Sequence, residues 1–115
     1  MLEIRPEQRE SLRNEVYSAF VQRLDRFLNS EVPEHSKLPE EERLQLIDAL
    51  LTVAAGYGLE TEQHATLYVL TAWLCGFDFD EQHPQVAARL SSGDYSPDEK
   101  SEWLTAWLES QAQAS

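Results

Sequence analysis

Apolar positions recur along this chain at three- and four-residue spacing, and nowhere at the alternating spacing of a half-buried strand. Leu12, Val16, Ala19, Phe20, Leu24, Phe27 and Leu28 form the first such series. It predicts an amphipathic helix from about Pro6 to Asn29, with the proline in a first turn where its missing N–H is no loss. At 1.5 Å per residue this helix is roughly 36 Å long. Arg9, Arg13, Arg23 and Arg26 fall off the stripe, as do Glu10, Asn14, Glu15 and Gln22. SEVPEHSKLPE, with two prolines, reads as a connector. A second helix is expected from near Pro39, with Glu40, Glu41 and Glu42 complementing the positive end of its dipole. Its stripe is Leu44, Ile47, Leu50, Leu51 and Ala54, with Leu46 on the flank.

The segment AAGYGLETEQHATLYVLTAWLCGFDFD carries a third helix with its punctuation. Gly56 and Gly58 flank Tyr57, and glycine just past a helix supplies the left-handed conformation that reverses the chain. Thr61 offers an N-cap hydroxyl for the helix from Glu62 to Cys75. From Ala65 onward that helix is apolar on nearly every side, interrupted only by Thr66 and Thr71, which predicts burial all round, Leu70 and Trp73 included. A short helix is expected over Pro84 to Leu90. Ser96-Pro97-Asp98-Glu99 then has the pattern of a capping box opening a last helix with Trp103, Leu104, Trp107 and Leu108. The expected fold is all-α: one domain over residues 1–115, a compact bundle of four to five helices around a central apolar third helix, with the last few residues frayed.

Composition narrows the setting. The N-terminus is charged from Glu3 and has no apolar signal core, and no apolar run reaches the 18 or so residues that span a bilayer, so a bacterial cytoplasm is expected. The single cysteine, Cys75, lies in the apolar helix and reads as a small core residue. The net charge of −12 is unevenly placed: the first 30 residues balance to zero, and the remainder sets sixteen carboxylates against Lys37, Arg43, Arg89 and Lys100. Such a surface repels nucleic-acid phosphate and anionic lipid and speeds the docking of a basic partner. Its plainer role is to keep a small protein in solution.

Candidate chemistry is sparse. Asp78, Asp80, Glu81 and His83 cluster in FDFDEQH, but no third loop ligand, glycine and distal glutamate complete a calcium loop. The expectation is structural: Phe77 and Phe79 turn inward, and Asp78 or Asp80 caps a turn. His35, His64 and His83 lie in separate segments, with no metal-ligand spacing, nucleophile elbow or phosphate loop. No metal, cofactor or catalytic residue is therefore expected, and the chain reads as non-enzymatic. Trp103 and Trp107, one turn apart, either close the end of a small core or anchor a partner. Arg13 and Tyr17 on the first helix are further interface candidates, as are the carboxylates Asp94, Asp98 and Glu102.

The opening IRPEQ, the spacing to FVQRLDRFL, the AAGYGLETEQ turn and the LCGFDFD ending resemble a group of small helical proteins encoded with type VI secretion effectors, PAAR spike-tip proteins and effector adaptors. The resemblance spans about residues 3 to 90. Its most specific parts are the tyrosine–glycine turn followed by glutamate and the Gly-x-x-Phe-Asp ending. SPDEKSEWLTAWLESQ matches the group less closely, so the resemblance implies no role for the tryptophans. It implies a co-chaperone that binds the adaptor chaperone of a secreted effector. The alternative is an immunity protein that plugs the active site of a cognate toxin. The partner expected in either case is a protein.

Overall fold

The computed structural model describes the backbone of residues 6–114 and the side chains of residues 15–113. It is all-helical, in the order α1 (Pro6–Glu31), α2 (Pro33–Ser36), α3 (Glu40–Gly56), α4 (Glu62–Cys75), α5 (Phe79–Gln82), α6 (Pro84–Ser91) and α7 (Pro97–Ala114). Two short helices, α2 and α5, go beyond the four to five expected. Each opens beside a turn signal: Pro33 sits at the start of α2, and Gly76, with φ +111°, precedes α5. The chain groups into two units that divide within α3, between Gln45 and Leu46.

In the first unit α2 folds back on the end of α1. The buried line on α1 is Val21, Leu24, Asp25 and Leu28, continued by Val32. This is turned from the stripe read in the sequence. Val16 is 64% exposed, Phe27 is 39% exposed and Ala19 faces water, while Leu12 lies outside the described side chains. The reason is electrostatic as well as geometric. Four-residue α2 covers only the last turns of α1, and the face it covers includes Asp25, which is taken inside because partners await it. Arg43 Nε and Nη2 donate to the two Asp25 oxygens at 2.9 and 3.2 Å, and His35 Nε2 lies 2.8 Å from Oδ1. A third donation, from Arg43 Nη1 to Leu38 O at 2.7 Å, fastens the connector. Burial on its own would raise the Asp25 pKa; the hydrogen bonds and charges of Arg43 and His35 outweigh it and leave the carboxyl below its ordinary value.

The second unit has its apolar centre in Ile47, Leu50, Leu51, Ala54, Leu59, Tyr68, Val69, Phe79, Val86, Leu90 and Leu104. The helix ends follow the sequence closely. Leu59 N–H reaches Ala54 O and Gly58 N–H reaches Ala55 O, both at 2.9 Å, with Gly58 at φ +83°. These are the paired bonds of a Schellman motif, and the accompanying apolar residue, Leu59, is fully buried. Thr61 Oγ1 accepts from His64 N–H at 3.1 Å. Ser96 and Glu99 exchange bonds of 3.0 and 3.2 Å, the two halves of a capping box.

The two motifs at the ends of the apolar helix meet here. The Tyr57 hydroxyl donates to Asp80, and rings succeed one another from Tyr57 through Tyr68 and Phe79 to Trp107 at 5.9, 5.2 and 5.8 Å. Burial, then the Asp80 hydrogen bond and charge, push the Tyr57 phenol up to about 12. Buried Lys100 donates to Tyr57 O at 2.9 Å, closing the turn from the side of α7. Asp80 thus fixes a side chain, and Asp78, at the N-cap of α5, makes no capping bond but holds Gln82 Nε2 at 3.0 Å. Phe79 is buried as expected, whereas Phe77 is 46% exposed with its ring edge-on to Trp73.

Candidate functional site

The helix expected to be buried on every side is not. Ala65, Tyr68, Val69, Thr71 and Ala72 are buried, Leu70, Trp73 and Cys75 are only partly so, and Leu74 is 58% exposed. The uncovered side is bordered by α7. His64 in the first turn of α4 pairs with Asp98 in the first turn of α7, and Leu74 and Cys75 near the end of α4 line a hollow with Leu108 and Gln111 of α7. The two helices therefore run in parallel, and an open groove follows their seam.

The groove changes character along its length. At the end where both helices begin it is about 670 Å³, lined by Gln63, His64, Leu67, Asp98, Ser101, Glu102, Thr105, Ala106 and Glu109. Asp98, Glu102, Thr105 and Glu109 stand four, seven and eleven residues apart, which puts them on one face of α7. Leu67 and Ala106 give this part its apolar floor. At the far end the lining is Leu74, Cys75, Leu108, Glu109, Gln111 and Ala112, around about 410 Å³, and Glu109 borders both parts. Burial raises the Cys75 thiol pKa, which disfavours thiolate chemistry there.

Charge in the groove is almost unopposed. The second unit carries eleven carboxylates against Arg89 and Lys100, a net −9. Both cations are turned to other work: Lys100 holds the Tyr57 turn, and the Arg89 guanidinium lies 4.2 Å from the Tyr95 ring centroid and 5.3 Å from that of Trp103. Among the described residues His64 is the partner of Asp98, with Nε2 at 2.9 Å from Oδ1, and its Nδ1 is buried without a hydrogen-bond partner. Glu102 and Glu109 are exposed along the rim.

Of the residues singled out in the sequence, the groove gathers Asp98 and Glu102. Asp94 is exposed in the loop before α7 and lines neither part. Trp103 is partly buried against Arg89. Trp107 is 8% exposed, stacked on Phe79 and edge-on to His83, so it closes the core and offers no surface anchor. Tyr17 is 41% exposed on α1, in the first unit, and the side chain of Arg13 lies outside the described residues. Sequence reasoning assigned His64, Leu67, Leu74, Leu108 and Glu109 to no interface. The signal for Glu109 was present in the helical spacing from Asp98. Leu74 was hidden by a helix that looks the same on every side.

Among the described residues no three histidine, cysteine or acidic side chains gather as metal ligands, and no helix is long and apolar enough to cross a membrane. No protein-family model, curated protein or solved structure matches the chain.

Proposed function

We propose that this chain is a non-enzymatic binding protein that holds the adaptor chaperone of a type VI secretion effector during effector loading, and that it does so in the bacterial cytoplasm. One observation supports the reading most: an open groove between α4 and α7 combines an apolar floor with three carboxylates on one helix face and, among the described residues, no lysine or arginine along its walls. Grooves of this kind suit reversible docking, in which charge complementarity supplies rate and specificity and apolar contacts supply residence time. The resemblance of residues 3 to 90, roughly, to proteins encoded beside effector adaptors supports an adaptor as the partner.

Affinity purification of the tagged chain, expressed from its own gene neighbourhood with effector and adaptor present, tests the reading. Recovery of the adaptor without the toxin domain is the expected result. Recovery of the toxin domain in place of the adaptor would overturn it and make the chain an immunity protein.

A further inference from the structure

We infer that the α4/α7 groove takes a single amphipathic helix of a partner protein, basic at one end and apolar at the other. The inference rests on the reading of this chain as a binding protein and adds what the surface selects and how the occupant lies in it.

The polarity of the groove fixes the polarity of its occupant. Asp98, Glu102 and Glu109 line the wider part beside His64. Leu74 and Leu108 line the narrower part, where Leu74 is 58% exposed. A wholly basic segment would leave those leucines in water, and a wholly apolar one would bury carboxylates without partners, a costly arrangement. A segment with lysine or arginine over Asp98 and Glu102 and with leucine-like side chains over Leu74 and Leu108 satisfies both ends. From Asp98 to Gln111 the seam runs for thirteen residues of rise, roughly 20 Å, which matches a helix of nearly four turns. Helix-in-groove docking uses anchors at helical spacing along one such face. Charge also sets what the groove rejects: an acidic segment meets the carboxylate rim of a unit with net −9, and the two cations of that unit are engaged elsewhere. Nucleic acid is rejected for the same reason.

The test uses the whole chain and synthetic helical peptides of about fourteen residues, a length set by the roughly 20 Å seam. One peptide has lysines in one half and leucines on one face of the other half. A second has glutamate in place of every lysine. Binding is followed through backbone amide shifts and through anisotropy of a labelled peptide. The lysine peptide is expected to bind below about 1 mM, to shift Leu67, Thr105, Ala106 and Leu108, and to weaken at least tenfold in the double variant Glu102→Lys/Glu109→Lys. Leu74→Asp should weaken it as well, while Asp94→Lys, outside the groove, should not. Both rim glutamates are exposed, so an unchanged melt shows that the reversal leaves the fold intact. The inference is overturned by no binding below that concentration, by equal binding of the glutamate peptide, by shifts confined to α1, or by a dimer of this chain that Glu102→Lys dissociates. The adaptor reading fails separately. If the peptide seats in the groove and purified adaptor does not bind, the groove stands and the adaptor falls. If the adaptor binds equally to wild type and to the double variant, the groove falls and the adaptor stands.

Discussion

Asp25 joins three elements of the first unit, because α1 supplies the carboxylate, α2 the His35 imidazole and the start of α3 the Arg43 guanidinium. Its pKa in the folded chain lies below the ordinary value of an unfolded aspartate, about 3.9. The contribution to stability is therefore complete above about pH 4 and is lost as pH falls through the depressed folded value. Melting temperatures measured from pH 7 down to pH 2 should drop in the acid limb for the wild type and drop less steeply for Asp25→Asn; parallel curves would remove Asp25 from the account. Arg43→Ala should lower the melting temperature more than Arg26→Ala, since Arg26 is exposed and Arg43 leaves a mostly buried carboxylate short of its partner. None of this was legible in residue order. Asp25, His35 and Arg43 lie ten and eight positions apart in segments that read as a helix, a connector and an acidic helix start. Tyr57 and Asp80 repeat the lesson: both stood out as motif residues, but the hydrogen bond between them depends on the segments flanking α4 folding back toward Tyr68 in its middle.

At the scale of elements, local signals sufficed wherever a few adjacent residues decide the outcome. The Schellman turn at Gly58, the Thr61 cap and the Ser96–Glu99 box all form with bonds between near neighbours. Ser96→Ala should cost about 1 kcal/mol by chemical denaturation, the usual loss for such a cap. Coverage is another matter. A helix apolar on every side looks central, but Leu70 and Trp73 are only partly buried and Leu74 is outside. The uncovered side is where α4 and α7 run in parallel with an open seam, and no periodicity in either helix records the geometry of the other. The burial pattern predicts a contrast between two leucines, one on each helix. Leu104→Ala, at a fully buried site, should destabilise by about 2–5 kcal/mol. Leu74→Ala should change stability by less than about 0.5 kcal/mol. Equal costs would mean that the groove is closed in solution.

For the whole molecule, the sequence showed where charge accumulates but not which carboxylates share a surface. The eleven acidic residues of the second unit are spread over loops, helix starts and helix bodies, and the register of α7 aligns Asp98, Glu102 and Glu109 along one groove. The tryptophans mislead in the opposite direction: spacing makes Trp103 and Trp107 a pair, but one rests beside Arg89 and the other fills the core. The anchors of the groove are therefore leucines at its far end, and its attraction is electrostatic at the near end. Exposed charges of this kind act through solvent and are screened over about 8–10 Å at physiological salt. A partner guided by them should associate faster at low salt and dissociate at a rate set by the apolar end.

The most direct measurement is the association rate of the purified adaptor with wild-type chain and with Asp98→Lys/Glu102→Lys, taken across a salt series. The wild-type rate should fall about tenfold or more between low and physiological salt, the variant should start slow and lose most of that dependence, and dissociation should change little in either. Identical association rates and identical salt dependence in the two proteins would contradict the assignment of the α4/α7 groove as the docking surface.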